Sequence, residues 1–241
     1  MLAVLDPAVT AAHQIVTGLT SVLAPALGDP AALVALAVFT VLVRLCLVPL
    51  SYAAAQGAHA RAALAPRLRE LRVRHRDDAV RLHKETTDLY RAHGISPVAG
   101  IVPALAQIPL FAVMYRLCSV PIVGGHLNLL LTHAVFGVPL GSSVLTAGGL
   151  AAGLLPAALV YLGLFGLLAG VAWWSSRLTR RTLPEETPAL VARLAPLLPY
   201  ATLVVAAFVP LAAGVFLLVS TAWSTLERAA FGARFARQAS S

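Results

Sequence analysis

The sequence predicts an all-α polytopic membrane protein with five transmembrane helices, a cytoplasmic helical hairpin and an N-terminal interfacial helix. Three observations carry this. Hydrophobic residues make up 59% of the 241 and charged residues 12%, with a mean hydropathy of +0.83. Most of such a chain belongs in lipid rather than in a soluble core. The positive charge is segregated: of 18 Lys and Arg, nine fall between Arg61 and Arg91, four between Arg177 and Arg193, and three at Arg228, Arg234 and Arg237. The apolar runs between these clusters have the lengths that crossing a bilayer demands. Basic clusters mark the cytoplasmic side, which places the N-terminus outside and the C-terminus inside.

Residues 1–30 carry two Asp and no Lys or Arg, as an outer segment should. Ile15, Val16, Leu19, Val22, Leu23 and Leu27 recur at helical spacing, with His13, Gln14, Thr17 and Ser21 between them. That pattern predicts an amphipathic helix over Ala11 to Ala26, lying on the interface. A basic n-region is missing, and Asp6, Pro7, Pro25 and Pro30 interrupt any apolar core, so no cleavable signal is expected. The first span, 31–52, contains AALVALAVFTVLVRLCLVPL, twenty residues with one charge, Arg44. A guanidinium near mid-membrane costs about 2.5 kcal/mol or more. Arg44 either snorkels toward the polar end of the run or is kept wet in a cavity, and the run alone leaves both open.

Residues 53–96 then hold nine basic and five acidic residues between Gly57 and Gly94. Leu64, Leu68 and Leu71 make one helical stripe; Leu82, Thr86, Leu89 and Tyr90 make a second. Asp78 is suited to cap the second helix, and His93-Gly94 to end it. The result is a cytoplasmic hairpin with a thin leucine seam and a solvated basic face of Arg61, Arg67, Arg69, Arg72, Arg74, Arg76, Arg81, Lys84 and Arg91. The interspersed acids argue against specific nucleic-acid binding.

The second span, 97–118, contains Pro97, Pro103 and Pro109 together with Gln107. Prolines free backbone carbonyls that protein or water must satisfy, so this helix should not simply face lipid. Arg116 at its outer end can snorkel. Residues 119–153 read as an outer loop, partly apposed to the membrane. The third span, 154–175, returns inward with Trp173-Trp174 at the interface, and 176–193 form a cytoplasmic loop. Between Arg193 and Glu227 lie 33 uncharged residues, whereas one span needs about 20 and two need about 40. A single span would carry the tail's arginines outside. Two short helices of about 15 residues, turning near Phe208-Val209-Pro210, avoid this and imply a locally thinned bilayer. They occupy 194–227, and 228–241 form a basic cytoplasmic tail. Cys46 and Cys118 are expected to be packing residues, too far apart for a disulfide.

Neither GxxxxGK[ST] nor HExxH occurs, and no carboxylate pair stands out, so no enzyme, metal or cofactor is expected. The nucleophile and base candidates of an intramembrane hydrolase would be Ser142, Ser143, His126 and His133, which lie in a Gly- and Pro-rich stretch without a nucleophile motif. A small-anion transporter with Arg44 as its anion site is a second alternative, and the lack of an internal repeat counts against it.

The run LVRLCLVPL around Arg44, the charged hairpin after it, and HGISPVAGIVPALAQIPLFAVMYRL together resemble the YidC/Oxa/Alb family of membrane-protein insertases. Gly94, Pro97, Gly100, Pro103, Gln107, Pro109, Phe111 and Tyr115 fall at family positions, eight matches within 22 residues. The resemblance implies a bacterial plasma-membrane insertase in which Arg44 and Gln107 line a hydrophilic groove. Its implied partners are newly made membrane proteins and the lipid bilayer, extending to the ribosome and the Sec translocon. Ser96 stands where members usually have Asn. The last span, PLAAGVFLLVSTAWSTLER, has only Phe216 and Trp223 where relatives carry a Tyr-Trp pair and a Ser/Thr-Asn. These departures mark a divergent, actinobacterial-type member. The tail after Glu227 is fourteen residues long, short for holding a ribosome.

Overall fold

The computed structural model describes residues 5–94, 102–147, 154–183 and 188–240. Helices dominate, and the described chain divides into two compact units, one of residues 1–45 with 110–229 and one of 46–109 with 230–241. Among the described residues, two helices are long and apolar enough to cross a membrane, Ala31–Ala63 and Leu155–Thr182.

In the larger unit, α1 (Asp6–Leu27) begins with Pro7 in its first turn, where a missing N–H costs nothing, and ends at Gly28 with φ +64°. Its buried face is Val9, Ala12, Val16 and Thr20, while Ile15 and Val22 are exposed. The helix is therefore longer than the amphipathic pattern suggests, and of the expected stripe Val16, Leu19 and Leu23 face the core. Small Ala12 permits close packing, and Asp6 at the start pairs with Arg116 at 2.6 Å. Arg116 is thus held by an acid of the N-terminal helix instead of simply snorkelling.

Helix α2 (Ala31–Ala63) buries Ala32, Ala35, Leu36, Phe39, Thr40 and Arg44 and exposes Val38, Leu42 and Leu45. Those are two faces of one 3.6-residue period. Nothing stops it at Tyr52: after Pro49 comes SYAAAQGAHARAA, rich in helix-favouring Ala, and the helix continues to Ala63. Helix α5 (Val102–Ser119) contributes Met114, Leu117 and Cys118 to the core. Helix α7 (Leu154–Thr182) contributes Ala157, Tyr161, Leu164 and Leu168, with Leu155, Leu159 and Leu162 facing out. Cys118 is buried, Cys46 is exposed, and both are free thiols.

The stretch after α5 departs from all-helical structure. Two antiparallel hairpins form, β1 (Ile122–Val123) with β2 (His126–Leu127), and β3 (Ala134–Val135) with β4 (Val138–Pro139). Their turns use Gly124, Gly125 and Gly137 at positive φ. A 3₁₀ turn (Leu129–Leu131) and the four-residue α6 (Val144–Ala147) complete the segment. The Asn128 amide donates to the carbonyls of Leu117 (2.7 Å) and Val120 (3.0 Å), satisfying groups at the end of α5.

The terminal region is also asymmetric. Helix α8 (Ala189–Leu194) runs into a 3₁₀ helix (Ala195–Tyr200) and then α9 (Ala201–Phe208); Pro196 and Pro199 keep the middle piece from closing α-type bonds. After a break at Val209-Pro210, α10 (Leu211–Ser240) runs for 30 residues. Instead of two arms of equal length, the first is short and the second carries straight on through the tail, since no proline follows Pro210. The N–H groups that open α10 are satisfied by the loop: Leu211 donates to Ser142 O (2.7 Å) and Ala212 to Leu140 O (2.9 Å). At Gly214 a Cβ would lie 2.8 Å from Leu164 Cδ2, so glycine permits the close approach of α10 to α7.

The smaller unit contains the charged hairpin. Helix α3 (Ala65–Arg74) and helix α4 (Ala79–Ala92) pack together, with Leu68, Leu71, Leu82, Leu89 and Tyr90 half-buried. Asp78 caps α4, its carboxylate accepting from the N–H of Arg81 at 2.9 Å. His93-Gly94 ends it, with Gly94 at φ +65°. His75 Nε2 meets Glu85 at 2.9 Å, and Arg67 meets His93 at 3.0 Å. In the same unit, the end of α10 lies on α2 through aromatics. Tyr52 meets Phe231 edge-on at 5.4 Å and Phe235 at 5.9 Å, His59 stacks on Phe235 at 4.9 Å, and the Arg234 guanidinium sits 5.2 Å from the Tyr52 ring.

Candidate functional site

Arg44 is 6% exposed. It shares the inward face of α2 with Thr40, whose hydroxyl donates to Leu36 O at 2.8 Å. The cleft beside it is too narrow to hold a water molecule and is lined by Thr40, Val43, Arg44, Leu110, Met114 and Phe216. Among the described residues its buried Nε has no hydrogen-bond partner. Among the described residues no acid lies within ion-pair distance of it. A buried guanidinium without a bonded partner is expensive, costing several kcal/mol in general, and a fold retains such a group for a reason other than stability.

The wall opposite comes from α10. Phe216, Ser220, Trp223 and Glu227 stand at successive i+4, i+3 and i+4 steps and so share one face. Phe216 enters the Arg44 cleft and packs on Phe111 at 5.9 Å. Further along, Ser220 Oγ, Trp223 Nε1 and Glu227 Oε1 are each buried without a partner. Glu227 is the acid of that face. A different face of α10 is satisfied: Arg228 donates to Ser175 Oγ at 2.7 Å, and Thr225 is fully buried.

Of the residues singled out in the second span, Phe111 and Tyr115 stack on each other at 6.2 Å on the half-exposed side of α5. Pro109 lies within α5. Gln107 and Pro103 lie on the α5 backbone, but their side chains fall outside the described residues, as do Pro97 and Gly100 altogether. Arg44 and the Phe216 face of α10 are brought together; whether Gln107 joins them is not among the described contacts. The hairpin bases are exposed apart from half-buried Arg61, and Arg61 and Arg81 bond to Gly57 O and Glu85.

Ser220 and Glu227 escape a reading that looks only for family aromatics in the last span, and Trp223 enters it only as an aromatic. The signal was present as helical spacing of polar groups at the end of an apolar run. One of the two serines of the hydrolase alternative is engaged in the fold. Ser142 is buried, and its hydroxyl lies 2.7 Å from Pro139 O and 3.1 Å from the Tyr161 hydroxyl, while Tyr161 donates to Ser142 O at 2.8 Å. That is a structural joint.

The model of the family described as 60Kd inner membrane protein matches residues 23–238. A membrane protein insertase YidC of Acidiphilium cryptum is 29% identical over 168 residues, 68% of this chain and 28% of the relative. One from Granulibacter bethesdensis is 37% identical over 93 residues, 39% of this chain and 16% of the relative. An inner membrane ALBINO3-like protein 2 of the Chlamydomonas reinhardtii chloroplast is 37% identical over 117 residues, 48% of this chain and 27% of the relative. The chain thus spans little more than a quarter of the length of the Acidiphilium cryptum relative.

Proposed function

This chain belongs to the 60Kd inner membrane protein family, the YidC/Oxa/Alb insertases, and on that premise we propose that it inserts newly made proteins into the membrane. It passes a short polar segment of a substrate along a positively charged intramembrane groove and releases the neighbouring apolar segment sideways into lipid. The observation that carries this reading is Arg44, nearly buried in an otherwise apolar cleft, its Nε without a partner among the described residues.

The barrier to be lowered is dehydration of the polar segment. A fixed guanidinium in surroundings of low dielectric constant attracts carboxylates and peptide carbonyls more strongly than it would in water. Partition of the apolar segment into lipid then drives the process with no nucleotide. The chain acts as a binding and guiding surface and makes or breaks no covalent bond. Five spans serve this reading: the long apolar helices α2 and α7, α5, and a final pair broken at Val209-Pro210, with the N-terminus outside and the C-terminus in the cytoplasm. Segregation of the basic residues supports that orientation. The charged hairpin of α3 and α4 lies in the cytoplasm, where its exposed arginines meet the substrate, the ribosome or the Sec translocon. Gln107 lines the groove with Arg44, and Gly94, Pro97, Gly100, Pro103, Pro109, Phe111 and Tyr115 shape the second span.

Liposomes containing only this protein, presented with a single-span substrate bearing a short acidic translocated tail, test the reading. Protection of that tail from external protease, above the level in empty liposomes, is expected; equal protection in both overturns it.

A further inference from the structure

We propose that Glu227 sets the charge selectivity of the Arg44 site. Its carboxylate balances the buried guanidinium, so the site ranks translocated segments by net charge and does not draw in every acid alike. This rests on the insertase reading and names a residue which that reading leaves without a role.

Phe216 fixes the position of one α10 face in the Arg44 cleft, and Glu227 lies three helical turns further along that face. Two unsatisfied groups of opposite kind occupy this region: a guanidinium nitrogen with no acceptor and a carboxylate oxygen with no donor. Had the two closed on each other, both valences would be filled and the site would be shut. They stay apart, yet along one helix face and in surroundings of low dielectric constant the acid still acts on the base. Between them on the same face, Trp223 Nε1 offers a donor, and Ser220 Oγ offers both a donor and an acceptor.

That set matches an extended polypeptide. Its peptide carbonyls and carboxylates suit Arg44 and Trp223, and its N–H groups and ammonium side chains suit Glu227. An acidic segment gains from Arg44 and loses to Glu227; a basic one does the reverse. Removing the Glu227 charge leaves a net cation and should tilt the ranking toward acids.

Two measurements test this in liposomes, on wild type, Glu227→Gln and the charge-retaining Glu227→Asp. The first needs no substrate. With exposed Cys46 changed to Ser, Val43→Cys in the cleft reports the rates of reaction with an anionic and a cationic methanethiosulfonate; Cys118 is fully buried and silent. Glu227→Gln should raise the anionic-to-cationic ratio by about fivefold, and Glu227→Asp should leave it near wild type. The second compares insertion of one substrate bearing an acidic or a basic tail, and the acidic-to-basic ratio should rise in the same variant alone. A tail ratio unmoved by Glu227→Gln, in a protein whose wild type inserts substrate, overturns the proposal. A thiol ratio that moves in a protein inserting neither tail retains the charge balance and overturns the insertase reading instead.

Discussion

Phe235→Ala should release the end of α10 from α2. The ring is 8% exposed and packs on Tyr52 and His59. Burying a Phe side chain contributes about 1.5–3 kcal/mol. An aromatic pair adds about 0.5–1.5 kcal/mol beyond area, so two such contacts bring the sum to about 2.5–6 kcal/mol. At about 1.4 kcal/mol per factor of ten, that is roughly a hundredfold to ten-thousandfold in the local opening equilibrium. Helix α10 is anchored elsewhere by Leu211, Ala212 and Phe216, so the loss should stay local. Amide hydrogen exchange by mass spectrometry is the assay. Peptides covering 231–240 should exchange faster by about two orders of magnitude or more, and peptides covering Met114 to Cys118 should not change. Phe235→Leu, which keeps the bulk but not the ring stacking, should fall between. Exchange of 231–240 within about threefold of wild type would show that the tail is held by its own helical propensity and that the ring contacts contribute little.

Arg44→Ala should abolish insertion of acidic-tailed substrates in the liposome assay while the protein stays folded, whereas Arg44→Lys should retain much of it because a positive charge matters more than bidentate geometry; full activity of Arg44→Ala on several acidic-tailed substrates would defeat the groove. Asn128→Ala strips two carbonyls of their donors in a buried position. It should cost about 2–4 kcal/mol, read as a lower unfolding temperature in detergent. Cysteines placed at Ala79 and Ser240 should be reached by impermeant reagent from the cytoplasmic side alone; labelling of Ser240 from outside would reverse the proposed direction of α10.

Local features were legible in the sequence where one residue type dictates the backbone. Asp78 ahead of a leucine stripe caps α4, Gly94 ends it at positive φ, and Pro210 breaks the last apolar region. Where length has to be inferred from polarity, the reading falls short, because a helix can leave the membrane without ending. Helix α2 passes Tyr52 and α10 passes Glu227 for this reason. The four two-residue strands are too short to show an alternating pattern, and their glycine turns resemble any loop. For the candidate site, a single charge in an apolar run singles out Arg44, but the run alone leaves snorkelling and a cavity both open. Its relation to Glu227 was hidden, because the two are far apart in the chain and joined only by packing of Phe216 into the cleft. That Phe231 and Phe235 share a face could have been suspected from their i, i+4 spacing within a basic tail, but the matching face of Tyr52 and His59 could not.

The loop between α5 and α7 has a consequence for what the membrane must keep apart. Asn128, Ser142 and Leu140 bond to the end of α5, the side chain of α7 and the start of α10. Val123, Leu130, Val135, Val138 and Leu140 are buried beneath. The polar groups of that stretch are thus turned onto neighbouring backbone, over an apolar layer. In the proposed orientation it closes the outer end above the Arg44 cleft. A bilayer that stores energy as a proton gradient is drained by any continuous file of water, and such a file needs polar partners along its length. A loop that turns the Asn128 amide and Ser142 onto neighbouring groups, over an apolar layer, offers few of them, so in the proposed reading a charge-bearing groove can serve one side while ions remain sealed off from the other.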